Sequence, residues 1–400
     1  MLTTYRRILS RPGTALFSAT GLVARLPISM VGLGIVLLVE DASGSYGLAG
    51  AVSAAHLLAN AALAIVQGRV IDRIGQSRVL PLVISVWGVG LSLLMWSVEN
   101  DWPIAVSYAL AAVAGAALPS VGTCVRARWS HVLRDPAERQ TAFALEAVAD
   151  EVVFMTGPIL VTVLATLVHP VAGLATALAA GVVGTWAFSA QRATEPPPHP
   201  RSPSTADRAG IPWATLLPLT VVCTALGVLF GAAEVTTVAF AEEQGSTAYA
   251  GGLLALWAAG SLIAGALTGV VVWRRGPEVR LRWGAFSMAV AMLPLAFIDS
   301  LVVMAAVLFV AGFAIAPTLI ASMSLAEQTL PPSRLTEGMA FLQTGIVAGV
   351  APGAVLAGIV IDEYGASPAY LVSIGGGLLA LVGALATRVV RVAASVRVHG

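Results

Sequence analysis

The sequence predicts an all-α integral membrane protein: twelve transmembrane helices in two six-helix pseudo-repeats of the same orientation. Three observations predict it. Hydrophobic residues make up 58% of the 400-residue chain and charged residues only 11%, whereas a soluble domain carries about 25% charged residues. The apolar residues gather into runs long enough to cross a bilayer, which takes about 20 residues of helix. The basic residues collect at alternate turns between those runs.

Taken in order, the runs are 14–39, 47–68, 79–98, 103–125, 140–166, 170–190, 213–240, 248–273, 281–298, 301–326, 336–361 and 366–387. Most breaks are a few residues long, as in helical hairpins. The longest is "QRATEPPPHPRSPSTADRAGIP" (191–212), whose Pro- and Ser-rich composition suits an extended tether. The chain is therefore expected to divide into an N-terminal six-helix bundle (1–190), a cytoplasmic linker (191–212) and a C-terminal six-helix bundle (213–400). The opening "MLTTYRRILSRPG" has arginines but no apolar stretch ending in a small-residue cleavage site, so the first run reads as a retained helix.

All 22 basic residues are arginines; there is no lysine. Positive charge stays on the cytoplasmic side of a membrane protein. With both termini inside, 21 of the 22 arginines fall in inner segments and none in outer loops. The outer loops carry Glu40, Asp41, Glu99, Asp101, Glu242, Glu243, Asp299, Asp362 and Glu363 instead. One helix more or fewer would scramble this segregation.

The remaining arginine, Arg25, lies within the first run, about 11 residues from its inner end. At about 1.5 Å per residue that is roughly 16 Å, close to the bilayer midplane. The fifth run contains "ALEAVADEVVF" (144–154), three carboxylates in apolar surroundings. Asp150 and Glu151 come to a depth similar to that of Arg25, and Glu146 lies one turn shallower. Glu146 and Asp150, four apart, share a helix face, while Glu151 points about 100° away. A charge at the bilayer centre costs about 2.5–3.5 kcal/mol and is nearly always turned to a partner or a watery cavity. An Arg25–Asp150 or Arg25–Glu151 pair would offset part of that cost and leave another carboxylate to carry a proton or contact substrate. The other reading is a static ion-pair cluster that fixes helix packing.

A gap-free comparison of the two halves at an offset of 202 places "EDASGSYGLAG" (40–50) on "EEQGSTAYAGG" (242–252) and Arg73 on Arg275. Two like-oriented halves joined by an inner tether are the parallel-repeat plan of some secondary transporters. The turn between the second and third runs, "GRVIDRIGQSR" (68–78), resembles the signature loop of the major facilitator superfamily, with Gly68, Asp72, Arg73, Gly75 and Arg78 at the motif's positions. The resemblance implies the twelve-helix fold of that family and a loop that latches the two halves on the cytoplasmic side when the cavity opens outward. Such a latch is physically reasonable, since Gly68 permits close helix approach and Asp72 can accept from a helix N-terminus. The alternative is a basic turn that only sets topology. The matching turn of the second half, "WRRGPEVRLR" (273–282), lacks the Asp.

"TGPIL" (156–160) is similar to the Gly-Pro motif of the bacterial drug–proton antiporters of that family, without the glycine pair that follows the Pro there. The fourth run, with "LAAVAGAAL" (110–118) at its centre, has no mid-membrane arginine; Arg126 lies near its inner end. The resemblance points to the drug-efflux-like branch of bacteria, and so to a multi-pass protein of the bacterial inner membrane. Further candidates for a substrate cavity are His56 and Asn60 in the second run, Glu234 in the seventh, Trp257 in the eighth and Gln343 in the eleventh.

Other function classes find little in the chain. A P-loop is impossible without lysine, and the five histidines form no HExxH or HxxxH spacing, so an enzyme is not expected. A net charge of +1 with no basic patch argues against nucleic acid. Cys124 and Cys223 lie in apolar runs and make neither a disulfide framework nor a metal spacing. The expectation is a monomeric secondary transporter, in contact with lipid and a small-molecule substrate, with no cofactor and the proton as coupling ion. It would export amphiphilic molecules; the alternative is an importer or uniporter of a small, possibly anionic, metabolite.

Overall fold

The computed structural model describes residues 2–44, 46–198, 210–245, 248–271 and 273–387. Half of the expected tether (199–209) and the inner C-terminal stretch with Arg388, Arg391 and Arg397 lie outside the described residues. Each expected run is mostly helical over its described residues, as a bilayer demands, because only a helix or a closed barrel bonds all of its backbone within hydrocarbon.

A short helix α1 (Leu2–Leu9) precedes α2 (Thr14–Ser43), α3 (Tyr46–Ile74) and α4 (Gln76–Glu99). The fourth run is divided into α5 (Ile104–Ala117) and α6 (Val121–Val132), followed by α7 (Pro136–Leu167) and α8 (Ala172–Ser189). The second half repeats the order with α9 (Trp213–Glu243), α10 (Ala248–Thr268), α11 (Pro277–Met292), the divided pair α12 (Leu301–Gly312) and α13 (Ile315–Thr329), α14 (Leu335–Tyr364) and α15 (Ala366–Ala386).

Eleven helical segments of the described residues are long and apolar enough to cross a membrane, with α5–α6 and α12–α13 each counted as one. The ninth expected run, 281–298, falls short: α11 has 16 residues and gives way to a 3-10 turn at Leu293–Phe297. Pro294 has no N–H to continue the α-helical ladder.

Pro119 divides the fourth run, because the residue before a proline is pushed out of the helical region and Leu118 is extended. The carbonyls freed at this break are bonded by side chains of α3: Asn60 Nδ2 donates to Gly115 O (3.2 Å) and Leu118 O (2.9 Å), and Gln67 Nε2 to Ala116 O (2.5 Å). The break in the tenth run is instead a tight turn in which Phe313 and Ala314 donate back to Val310 and Ala311.

Within the first half, α2 packs on α8, α7 and α3, and α4 and α5 pack together; within the second, α9 packs on α14 and α15, and α10 on α12. The halves meet through α3–α14, α7–α10 and α7–α13. Gly227 and Gly231 of α9 lie against the backbone of Ile346 and Val350, while Gly349 and Gly353 of α14 lie against the backbone of Thr224 and Val228. A side chain at any of the four would strike main chain, so this seam is built from small residues, as is common between membrane helices. Leu58, Leu82, Phe297 and Val302 are among many exposed large apolar side chains, an outer surface suited to lipid rather than water.

Candidate functional site

α2 and α7 both start at the arginine-rich end of the molecule, which brings Arg25 level with the acids of α7. Arg25 Nη2 bonds Glu146 Oε2 at 2.5 Å, and Nη1 bonds Asp150 Oδ1 at 2.6 Å. Its Nε donates to the carbonyl of Gly21, one turn earlier. A second arginine completes the group: Arg126 Nη2 bonds Asp150 Oδ2 at 2.6 Å. Glu146 Oε1 also accepts from Trp129 Nε1 (2.8 Å) and Ser18 Oγ (2.9 Å), so this carboxylate, fully buried, is saturated with donors. The cluster of Arg25, Arg126, Glu146 and Asp150 is electrically balanced.

Glu151 is not in it. Of the two pairs expected for Arg25, that with Asp150 forms and that with Glu151 does not, because Glu151 faces α10 across the boundary between the halves. There its Oε2 lies 3.5 Å from Ser261 Oγ. The reach of Arg126 was hidden in the sequence, where it counts as an inner-end residue. The available signal was the charge count: one deep arginine for three deep acids leaves the group short of positive charge.

The loop of 68–78 makes the contact between α3 and α14. Asp72 accepts from the backbone N–H of Thr336 (3.2 Å) and Glu337 (2.9 Å) in the first turn of α14, where carboxylates complement the helix dipole. The backbone of Thr336 and Glu337 lies so near Gly68 that a Cβ there would sit 3.1 Å from it. Arg69 binds Glu337 Oε1 through Nε (2.8 Å) and Nη2 (2.6 Å), and Arg334 Nη1 reaches Glu337 Oε2 at 3.2 Å. Arg69 and Glu337 were not singled out from the sequence; an acid opening the eleventh run, opposite a basic turn, was the signal. Gly75 turns the chain into α4 with φ 103°, a conformation that L side chains rarely adopt. Arg78 lines a surface hollow of about 310 Å³ beside Glu195, and Glu195 accepts from Ser77 N at 2.9 Å. Arg73 is half-buried at the end of α3.

Other ties between the halves lie at the same end. Tyr5 donates to Ala266 O (2.9 Å), Thr141 to Gly269 O (2.7 Å), and Arg139 pairs with Glu327 (3.1 Å). Toward the acidic end, a Cβ added at Gly50 of α3, at Gly251 or Gly252 of α10, or at Gly358 of α14 would meet nothing within 4 Å. The helices that face one another across the boundary, α3, α7, α10 and α14, are also the least buried of the membrane-length segments. The side-chain ties between the halves named above gather at the arginine-rich end.

The remaining cavity candidates separate. His56 is buried where α3 meets α5, with its backbone against Gly115, and half-buried Asn60 is engaged at the α5 break. Trp257 is 8% exposed and packs edge-on to Phe230 of α9, with ring centroids 5.7 Å apart. Glu234 is exposed on α9 and Gln343 half-buried on α14.

A lipid-facing exterior, helices of membrane length and a balanced charge cluster in the interior define a multi-pass membrane protein of the transporter type. Residues 17–308 match the model of the Major Facilitator Superfamily, and the chain belongs to that family. Its members are transporters, and so is this chain, rather than an enzyme. Among solved structures it resembles the human organic anion transporter MFSD10 (TETRAN), with 18% identity, 94% of this chain and 100% of that one covered and a TM-score of 0.74. It also resembles a bacterial homologue of the iron transporter ferroportin in an outward-facing state (13% identity, coverage 93% and 98%, TM-score 0.74). A third likeness is to the transporter FucP in the outward conformation (12% identity, coverage 94% and 99%, TM-score 0.70). These likenesses are of fold. No curated protein sequence matches the chain.

Proposed function

We propose that this protein is a secondary active transporter that exports small amphiphilic organic molecules in exchange for protons. It works by alternating access between a six-helix bundle at 1–190 and another at 213–400, joined by the 191–212 linker. The arginine-rich end is cytoplasmic by the rule that positive charge stays inside, which puts both termini in the cytoplasm of a bacterium and the molecule in its inner membrane as a monomer. On this reading the latch loop of Gly68, Asp72, Arg73, Gly75 and Arg78, through the contacts of Gly68 and Asp72 with α14, closes the cytoplasmic side when the cavity opens outward.

The observation that carries the proton-coupled reading is Glu151. The four charges beside it cancel, so Glu151 alone among the α7 acids lacks an opposite charge, and it faces the other half through Ser261. A carboxylate so placed, facing the other half, can take a proton from one side and release it to the other as the halves rock. Import of an anion paired with Arg25 is less well supported, since Arg25 and Arg126 are already neutralised by Glu146 and Asp150. The test is transport of a compound panel by proteoliposomes under an imposed pH gradient. The wild type is expected to respond to the gradient. Glu151→Gln is expected to remain folded, with a melting temperature near wild type, and to lose that response. A gradient-insensitive wild type, or an unaltered Glu151→Gln, overturns the reading.

A further inference from the structure

The turns that follow α3 and α10 hold the same place in the two repeats, with Arg73 on Arg275 at the offset of 202, yet they are used differently. In the first half Arg69 and Asp72 bind α14. In the second half Arg274 and Arg275 are exposed and have no acid beside them among the described residues. A Cβ added at the neighbouring Gly276 would meet nothing within 4 Å, so this point of the turn is open. Arg280, in the first turn of α11, folds back over it, its Cζ lying 5.5 Å from the centre of the Trp273 ring. The indole N–H of Trp273 donates to Thr268 O at 3.1 Å and holds that ring in place. Glu278, the acid of the stretch 273–282, is taken by Arg282 at 2.6 Å. Arg280 keeps no carboxylate, and its Nε is buried without a partner among the described residues. Three arginines therefore gather at one turn with no counter-charge.

From Arg280 an apolar stripe runs along the outer face of α11. Trp283, Phe286, Val290 and Leu293 recur every three or four residues, and all are exposed. The rings of Trp283 and Phe286 stand edge-on with centroids 5.9 Å apart. From Trp283 to Leu293 is about 15 Å of helix, half of a hydrocarbon core about 30 Å thick. Cations, then tryptophan, then one leaflet's depth of apolar surface is the order of groups that a phospholipid presents in reverse charge. Tryptophan favours the headgroup level, and arginine clusters just beyond a membrane helix attract anionic headgroups. We propose that the α10–α11 turn binds an anionic phospholipid of the leaflet at the arginine-rich end. Arg274, Arg275 and Arg280 hold its phosphate, which the guanidinium fork matches, and an acyl chain lies along α11. A zwitterionic lipid is disfavoured, because its ammonium meets a turn with four arginines and one acid. The turn of the first half thus fastens to protein and its counterpart to lipid, whatever the direction or coupling of transport.

The test is competition between dioctanoyl phosphatidylglycerol and dioctanoyl phosphatidylcholine for the purified full-length protein in detergent, with bound lipid read by native mass spectrometry. Phosphatidylglycerol is expected to be preferred by about tenfold or more. Arg274→Gln, Arg275→Gln and Arg280→Gln should each weaken its binding by up to about fivefold, the worth of one arginine near an anionic surface. The triple Gln variant should lose the preference, while Arg274→Lys with Arg275→Lys, which keeps the charge, should retain most of it. Melting temperatures separate lost binding from lost folding, and where the triple variant does not fold the single variants carry the same test. Equal binding of the two lipids, or a preference undiminished in the folded Gln variants, overturns the proposal. An equal loss from Arg134→Gln, an exposed arginine of the α6–α7 turn, would mark a general effect of net charge and overturn it too. Displacement of the lipid by inorganic phosphate at the same concentration would make the turn a site for the free ion and overturn the lipid assignment.

Discussion

In the first half of the chain α2 and α7 meet through Arg25, Glu146 and Asp150; in the second, α9 and α14 meet through Gly227, Gly231, Gly349 and Gly353. These are the same helices of the two repeats. At the offset of 202, Arg25 falls on Gly227, Ser29 on Gly231, Asp150 on Pro352 and Glu151 on Gly353. One position thus holds a buried guanidinium in one repeat and no side chain in the other. Since the glycine version brings two helices into close backbone contact, charge is not needed to pack this pair. A buried ion pair is in any case weak evidence for stability, because desolvation consumes most of the Coulombic gain. On the proposed reading, the charges of the first half serve a role other than packing.

The comparison breaks most visibly at Arg25. Arg25→Leu leaves Glu146, with no exposure, without its counter-charge, and loss of one partner of a buried pair costs about 3–5 kcal/mol. The expected result is a large fall in melting temperature or in the yield of monodisperse protein. Replacing Arg25, Arg126, Glu146 and Asp150 together by leucine should recover most of that stability, as whole-cluster replacements often do, while transport in proteoliposomes stays lost. Recovery of transport as well would make the cluster a packing device.

The glycine side breaks more gently. Gly227→Val drives a side chain into the carbonyl of Ile346, and overpacking of this kind costs about 1–3 kcal/mol. The expected readout is a lower melting temperature. The smallest effect concerns the divided fourth helices of the repeats. Asn60 bonds two carbonyls at the α5 break, whereas the α12–α13 break closes on itself. Asn60→Ala should cost about 1 kcal/mol, the usual net worth of a hydrogen bond, seen as a small drop in melting temperature without loss of gradient response. A loss of coupling in a stable Asn60→Ala protein would instead return Asn60 to the cavity.

Much of the architecture was legible in the sequence because bilayer physics is local: about 20 apolar residues make a span, and turn charge records the side. The exception, α11, is also local, since Pro294 ends it early. The candidate site was less legible. Arg25 and the three acids announced themselves as charges in apolar runs, but Arg126 did not, because an arginine near a helix end looks solvated until its reach is known. Glu337 was hidden because its partner Arg69 is supplied by a segment distant in the chain, and the role of Asn60, named from the sequence as a cavity candidate, was hidden because the backbone ladder it bonds is broken on another helix.

By itself the sequence determined that this chain lives in a membrane, how its spans alternate in charge from turn to turn, and which ionisable groups are too deep to be solvated. Which acid took Arg25, and which was left facing α10, was decided only by the tertiary structure. Pairing depends on the rotation of α7 against α2, α6 and α10, and a turn of about 100° between neighbouring residues separates a neutralised carboxylate from a free one.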